Sequence, residues 1–337
     1  MNRSDESRAW QSQLELGLVP TFACNLRCTH CFVGERRRGR PMSLEQFLTA
    51  LRDAKALGVR SLQITGGELF VYAHRLAVLQ HLVGTGIPTG ISTNGTRLSR
   101  DDVAVLQGSR VSLCFSVDGP AEVHDAMRGA GSLAKTELAA AHCVRYGVPF
   151  DVSSTVTRSS LPAVIDTVRQ VIDMGAWSVH LSPLQQLGGC SEKVADQRLN
   201  EEDCVDLMAR IAAIRDSLPD GVEVSTRNLG LRVTAVTHPC AVCACWGEFC
   251  PSKKYWPTSL YLTPDGEVLP QSMHVHRRYS LGNAFAQGLT EVIGSYWQSA
   301  KHRRFQALCR YVYQDLIYDS DRPLFYWDEL LRQASHI

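Results

Sequence analysis

Three thiols stand close together in Cys24-Asn25-Leu26-Arg27-Cys28-Thr29-His30-Cys31, separated by three residues and then by two. Thiolates hold soft and borderline metals, and this spacing lets one short loop wrap three corners of an iron–sulfur cube. Full ligation takes a fourth group, so one iron is left open to a further ligand. A purely structural zinc or cluster site would instead be closed by a fourth protein ligand. His30 is the nearby candidate for that ligand on zinc, but it lies inside the loop, where it points away from the cube. A second dense group is Cys240, Cys243, Cys245 and Cys250. Exposed thiols left without a metal are open to oxidation, which favours a ligand role here too. The spacing accepts an iron–sulfur cluster or zinc, and a degenerate module without metal is the other reading. Cys114, Cys143, Cys190, Cys204 and Cys309 stand alone and read as small buried hydrophobes.

Further polar groups gather in short segments that follow apolar runs. Thr65-Gly66-Gly67-Glu68 combines glycines that let backbone approach a ligand with a carboxylate that can accept from an ammonium group. On its own it is also an ordinary strand-end turn. Ser92-Thr93-Asn94-Gly95 and Ser116-Val117-Asp118-Gly119 offer small polar side chains. In His124-Asp125-Ala126-Met127-Arg128-Gly129, the Arg128 fork suits a carboxylate, in a ligand or in a surface ion pair. Leu181-Ser182-Pro183-Leu184-Gln185 closes the series and is the weakest of them.

These segments need a scaffold that brings them together. From residue 14 to about 185, short apolar runs alternate with helix-period segments, as in strand–helix units around a parallel sheet. The runs predict strands at Leu16–Phe22, Ser61–Thr65, Pro88–Ser92, Val111–Val117, Phe150–Val156 and Trp177–Ser182. Between them, Ser43–Leu57, Tyr72–Val83, Ser99–Leu106, Ser132–Tyr146 and Leu161–Met174 predict helices, several behind a Ser cap and several ending at Gly. The expected fold is α/β, a partial (β/α)6 barrel with a small α+β cysteine-rich C-terminal module. Enzymes built this way place chemistry at the C-terminal ends of the strands, where the Cys24–Cys31 triplet and the segments Thr65–Glu68, Ser92–Gly95, Ser116–Gly119 and Leu181–Gln185 fall. The expected boundaries are a core over 14–190, a bridging loop and helix over 191–221, the cysteine-rich module over 222–310 and a tail helix over 311–337. In the module, Pro264-Asp265-Gly266 between Ser259–Thr263 and Glu267–Leu269 signals a hairpin. Helices are expected at Leu289–Ser299 and Lys301–Cys309, with tail aromatics Tyr311, Tyr313, Phe325, Tyr326 and Trp327 packing a terminal helix.

Taken in order, the motifs resemble the radical S-adenosylmethionine (SAM) superfamily, whose signature is Cys-x-x-x-Cys-x-x-Cys after the first strand. The resemblance covers residues 14 to 190 and implies a 4Fe–4S cluster on Cys24, Cys28 and Cys31. SAM would chelate the open iron, and the reduced cluster would cleave it to methionine and a 5′-deoxyadenosyl radical that takes hydrogen from substrate. It also implies a SAM site of Gly66, Gly67 and Glu68 at the amino group, Thr93 and Asn94 in the pocket, Ser116 and Asp118 at the ribose, Arg128 at the carboxylate and Leu184 near the adenine. Two departures stand out: His30 where most members carry an aromatic residue, and Leu69 where Pro is commoner. Residues 259–283 resemble the SPASM or twitch extension of such enzymes, which carries auxiliary clusters. Gln271 replaces the Cys usual after the hairpin, so the expectation is a single auxiliary 4Fe–4S cluster on Cys240, Cys243, Cys245 and Cys250. Gln271, Met273, His274, His276, Arg277 and Arg278 follow the hairpin, either to touch substrate or as a solvated polar loop.

Composition limits the partners. Among 337 residues, 35 Lys plus Arg against 34 Asp plus Glu give a net charge of +1, which excludes a strong field for nucleic acid or an anionic membrane. With no apolar stretch of spanning length and no signal-like start, a cytoplasmic protein is expected. The first cluster cysteine is already at position 24, ahead of which no leader-binding domain is seen. That tilts the expectation to a small-molecule substrate, a sugar, nucleoside or amino-acid intermediate of natural-product biosynthesis, oxidised or carried through an elimination such as decarboxylation. A peptide-modifying maturase is the alternative, and a non-catalytic iron–sulfur or zinc sensor is the rival of another class. An external donor such as flavodoxin or ferredoxin would supply electrons. No catalytic acid or base can be assigned from the residues.

Overall fold

The computed structural model describes residues 14–187, 194–226, 229–237, 259–296 and 299–337. The first elements are β1 (Glu15–Leu18), α1 (Leu44–Leu57), β2 (Ser61–Ile64), α2 (Arg75–Thr85), β3 (Thr89–Thr93), α3 (Arg100–Leu106) and β4 (Val111–Ser116). Then come α4 (Ala121–Arg128), α5 (Ser132–Tyr146), β5 (Phe150–Val156), α6 (Val164–Asp173), β6 (Ser178–Pro183), α7 (Glu201–Arg215) and β7 (Glu223–Thr226). The rest are β8 (Leu229–Leu231), α8 (Arg232–Thr237), β9 (Ser259–Leu262), β10 (Glu267–Pro270), β11 (Gly282–Asn283), α9 (Ala284–Gln287), α10 (Leu289–Tyr296), α11 (Ala300–Tyr313), β12 (Leu324–Tyr326) and α12 (Trp327–His336).

The chain divides into two compact units. Residues 21–39 and 64–228 form one, with strand order β3-β4-β5-β6-β7 and every neighbour parallel. Strand β5 alternates cleanly, with Phe150, Val152, Ser154 and Val156 buried, and Phe115 of β4 meets Phe150 edge to face at 5.2 Å. Helix starts follow local chemistry. Ser99 accepts from the Asp102 N–H while Asp102 accepts from the Ser99 N–H, a capping box that opens α3. The α/β class and mostly parallel sheet are those the sequence predicts.

Residues 1–20, 40–63 and 229–337 form the other unit, with strand order β11-β10-β9-β1-β2. Here the expected hairpin forms: Gly266 at φ 89° turns β9 into antiparallel β10. Strand β9 also pairs in parallel with β1, Leu16 opposite Leu260 and Leu18 opposite Leu262. Gly17 faces Tyr261, whose ring lies where a Cβ on Gly17 would stand, so this register depends on a residue without a side chain. A separate apolar cluster joins Phe305, Leu308 and Val312 of α11 to Phe325 and Leu331. Of the tail aromatics, Tyr313, Phe325 and Trp327 are buried in that cluster and Tyr311 is exposed.

Several elements differ from expectation. β1 ends at Leu18 rather than Phe22 because Pro20 has no N–H to pair, and the carbonyls of Thr21 and Ala23 instead accept from Gly67 and Glu68. Helix α4 and strand β7 were not expected from the pattern. Among the described residues, no helix is long and apolar enough to cross a membrane.

Candidate functional site

The cysteine loop is fastened at both ends and in its middle. At its entry, the N–H groups of Gly67 and Glu68 donate to the carbonyls of Thr21 and Ala23 at 2.9 and 2.8 Å. A Cβ on Gly67 would overlap the Ala23 carbonyl oxygen and the Phe22 backbone, so the approach requires glycine. In the middle, Arg37 Nη1 donates to the Leu26 carbonyl at 2.7 Å. Beyond Cys28, the Thr29 N–H donates to the Met127 carbonyl of α4 at 2.9 Å. Cys24, Cys28 and Cys31 are free thiols at the part-exposed surface of this loop.

Among the described residues, no three His, Cys, Asp or Glu side chains converge as ligands of one metal ion. A cube does not ask for that, because each of its thiolates binds a different iron. Three free thiols on a pinned loop, with backbone and amide N–H groups beside sulfur, fit a 4Fe–4S cluster. The Leu26 N–H points at Cys24 Sγ at 3.4 Å and Asn94 Nδ2 at 3.8 Å. Burial pushes the Cys24 thiol up, opposed by the Leu26 N–H, and it pushes Cys28 up, opposed by Arg128. Iron must therefore displace protons to bind.

Glu68 is 1% exposed and fully engaged with its own chain. Its Oε1 accepts from the Phe70 N–H at 3.1 Å and from Thr93 Oγ1 at 2.9 Å, and its Oε2 from the Asn94 N–H at 2.8 Å. The carboxylate thus ties the end of β3 to the Gly66-Gly67 turn and sets Asn94 beside Cys24. Burial raises its pKa, and the three donated hydrogen bonds work against that rise.

Behind Cys28 lies a buried ion pair. Arg128 Nε donates to Asp118 Oδ2 at 2.6 Å and Nη2 to Oδ1 at 3.0 Å, while the Thr155 N–H donates to Oδ1 at 2.9 Å. Burial alone would raise the Asp118 carboxyl, but the Arg128 guanidinium beside it holds it at about 2. His30 Nε2 is 3.8 Å from Asp118 Oδ2. Burial holds His30 and His124 near 4, so both are neutral at pH 7 and Arg128 is the charge that fixes Asp118. The His124 Nδ1 accepts from the Asp118 N–H at 3.2 Å, which places the proton on Nε2.

The structure therefore brings Cys24, Cys28, Cys31, Gly67, Glu68, Thr93, Asn94, Asp118 and Arg128 into one network. Gly66, at φ 118°, turns the chain into it. Ser116 ends β4 opposite Ser153, and the buried Leu184 donates its N–H to the Val156 carbonyl. Cys240, Cys243, Cys245 and Cys250 lie outside the described residues. After the hairpin, Gln271 adopts φ 64° with a buried Oε1 and Met273 is buried. His276 Nδ1 accepts from the Arg278 N–H, and Arg277 pairs with Asp265. Two residues of the network escaped the sequence reading of roles. Arg37 sits within the run Arg36-Arg37-Arg38, where nothing along the chain sets one arginine apart from its neighbours. His124 lies in a motif valued for Arg128, and only its spacing from Asp118 could have singled it out.

A loop of three free thiols held over the C-terminal ends of parallel strands, with a buried carboxylate and guanidinium behind it, fits an α/β enzyme domain with a site for a metal cluster. The Radical SAM superfamily model matches residues 18–162, and the chain carries a radical SAM domain, a class that uses a 4Fe–4S cluster and SAM. The chain is 29% identical to the AdoMet-dependent heme synthase of Oleidesulfovibrio alaskensis over 54% of its own length and 48% of that protein's. It is 29% identical to the antilisterial bacteriocin subtilosin biosynthesis protein AlbA of Bacillus subtilis over 46% of its length and 36% of that protein's. It thus spans about half or less of these curated relatives. Its fold is that of Streptococcus suis SuiB bound to S-adenosylmethionine, with TM-score 0.70 and 18% identity over 88% of this chain and 68% of that one. SuiB has also been solved bound to its precursor peptide SuiA.

Proposed function

We propose that this chain is a radical SAM enzyme that modifies a peptide. The observation that carries the enzyme reading is the fastening of the Cys24–Cys31 loop by Gly67 and Glu68, with Asn94 held at Cys24 and Arg128 behind Cys28. Cys24, Cys28 and Cys31 hold the cluster, and Gly66, Gly67, Glu68, Thr93, Asn94, Ser116, Asp118, Arg128 and Leu184 form the SAM pocket. When bound, the reduced cluster supplies the electron that releases a hydrogen-abstracting 5′-deoxyadenosyl group from SAM. The chain's own part is to hold shape and charge. Glu68 fixes the β3 end, Asp118 fixes the Arg128 fork, and neutral His30 and His124 keep a second positive charge out of the site.

The peptide assignment is supported by relatives named for bacteriocin biosynthesis and by a structural neighbour solved with a precursor peptide. It reverses the order of the sequence expectation, in which a small molecule led. The heme synthase among the relatives keeps a small-molecule substrate as the second reading. The division proposed for the chain is a core over 14–190, a bridge over 191–221, an auxiliary module over 222–310 and a tail over 311–337, with one auxiliary 4Fe–4S cluster on Cys240, Cys243, Cys245 and Cys250. Electrons would come from a flavodoxin- or ferredoxin-type donor.

The test is anaerobic reconstitution followed by SAM and dithionite, with 5′-deoxyadenosine measured in wild type and Cys28→Ala. Cys28-dependent product that rises when synthetic peptides are added supports the proposal. A rise with small molecules alone moves the second reading to the front, and no product from an intact cluster favours the sensor. About eight irons per chain supports the auxiliary cluster, and about four without zinc removes it.

A further inference from the structure

The 3-10 turn Gly34–Arg38 follows the cluster loop and carries three arginines. Arg36 is spent locally: its Nη2 donates to the Phe32 carbonyl at 3.2 Å and its guanidinium stacks over the Phe22 ring at 5.0 Å. Arg38 is exposed. Arg37 reaches into the cysteine loop. Its Nη1 donates to the carbonyl of Leu26, midway between Cys24 and Cys28, at 2.7 Å, which sets its charge among the three thiols of the loop. Its Nε is buried without a protein partner. One guanidinium therefore holds the middle of the loop, with a donor still unassigned.

The charges around the three sulfurs are not balanced by the pocket's other groups. Glu68 acts on Cys24 and Asp118 on Cys28, both making the thiolate less favourable. Arg128 answers Asp118 directly. Glu68 has only neutral donors among its hydrogen-bond partners, and Arg37 is the cation that opposes it at Cys24. A cluster becomes more negative when reduced, so a fixed cation and N–H groups beside its sulfurs favour the reduced form.

We propose that Arg37 sets the reduction potential of the cluster on Cys24, Cys28 and Cys31, holding it higher than the thiolates alone would, while its bond to Leu26 holds the loop's shape. The inference rests on the cluster assigned above. Reduction adds one electron from a low-potential donor; no bond at Arg37 forms or breaks, and the guanidinium keeps its protons. Arg37 is a positioning and tuning residue that takes no part in hydrogen abstraction.

The experiment is an anaerobic redox titration of the reconstituted full chain without SAM, with dithionite as reductant and the reduced cluster read by electron paramagnetic resonance. The first cluster's signal is the one absent in Cys28→Ala. Arg37→Gln keeps an N–H donor and removes the charge; Arg37→Lys keeps the charge and removes the fork. The expected result is a fall of about tenfold in the reduction equilibrium for Arg37→Gln, about 59 mV for one electron. Arg37→Lys should stay within about threefold of wild type. An unchanged potential in Arg37→Gln at wild-type iron content overturns the proposal. If Arg37→Gln takes up little iron, Arg37→Met replaces it; failure of both makes Arg37 a folding residue and also overturns the tuning role. A wild type without the Cys28-dependent signal defeats the cluster reading itself, a separate outcome.

Discussion

Arg128 grips Asp118 through two hydrogen bonds, Nε to Oδ2 at 2.6 Å and Nη2 to Oδ1 at 3.0 Å, with the Asp118 side chain wholly buried. The pair leaves Nη1 as the guanidinium nitrogen not committed to Asp118, so the carboxylate aims the fork as well as neutralising it. The sequence suggested two separate ligand contacts, and the structure shows the two residues bound to each other as one buried pair.

Removing one partner leaves a buried charge, so Asp118→Asn and Arg128→Gln should each cost about 3–5 kcal/mol. Replacing both by apolar residues should cost less than the sum. The pH dependence has a defined sign. The folded carboxyl sits at about 2 and an unfolded Asp near 3.9, so the stabilisation is complete above about pH 4 and is lost as pH falls towards 2. Urea unfolding should show a gap between wild type and Asp118→Asn that is constant from pH 7 to 5 and narrows below 4. A gap that stays constant to pH 2.5 would refute the assignment.

Gly67→Ala sets a Cβ against backbone atoms of Phe22 and Ala23, which cannot move aside as a flexible side chain could. The entry of the cysteine loop must shift, and the variant should lose most of its first-cluster iron and several kcal/mol of stability. Gly84→Ala is the control. It lies within α2 with no atom near the added Cβ and should gain about 0.5–1 kcal/mol, with iron content unchanged. Equal iron in the two variants would mean that the close approach does not shape the loop.

Strands β3 to β6 of the parallel unit were legible because alternation or a continuous apolar run marks them locally, and Phe150–Val156 coincides with its predicted limits. Helix α4 was not, because only His124 and Met127 of its eight residues are buried and so little apolar period exists to read. The β1–β9 pairing joins residues more than 240 apart and leaves no local trace except Gly17 opposite Tyr261. At the site, the residue types that touch cofactors in the resembling family were legible by motif. The bonds among them were not. That Glu68 is saturated by Phe70, Thr93 and Asn94 depends on how two strand ends approach, which spacing along the chain does not encode.

Glu68→Gln tests that saturation. The substituted amide can still accept from Phe70 and Thr93 through its oxygen, but its NH2 then faces the Asn94 N–H, donor against donor. Leaving that buried donor unmet should cost about 1–3 kcal/mol. Because Asn94 also reaches Cys24, 5′-deoxyadenosine formation should fall further than the loss of folded protein explains. A drop in product that only tracks the drop in folded protein would confine Glu68 to a structural role.

His124 supplies the last test, on protein without its cluster. It is 1% exposed, and burial holds it near 4, below the usual histidine value of about 6.5. The unfolded chain therefore binds a proton that the folded chain refuses between those values, and stability is lost as pH falls from about 6.5 to about 4. His30 behaves alike, so the two share this slope. Each pKa unit is worth about 1.4 kcal/mol, which puts the combined loss at several kcal/mol. His124→Gln keeps an acceptor for the Asp118 N–H and cannot be protonated, so it should remove about half the slope in urea midpoints measured from pH 7 to 4. An unaltered slope would mean that His124 takes up its proton in the folded state at the ordinary pH, and with it that the wall behind Cys28 is wetter than its burial indicates.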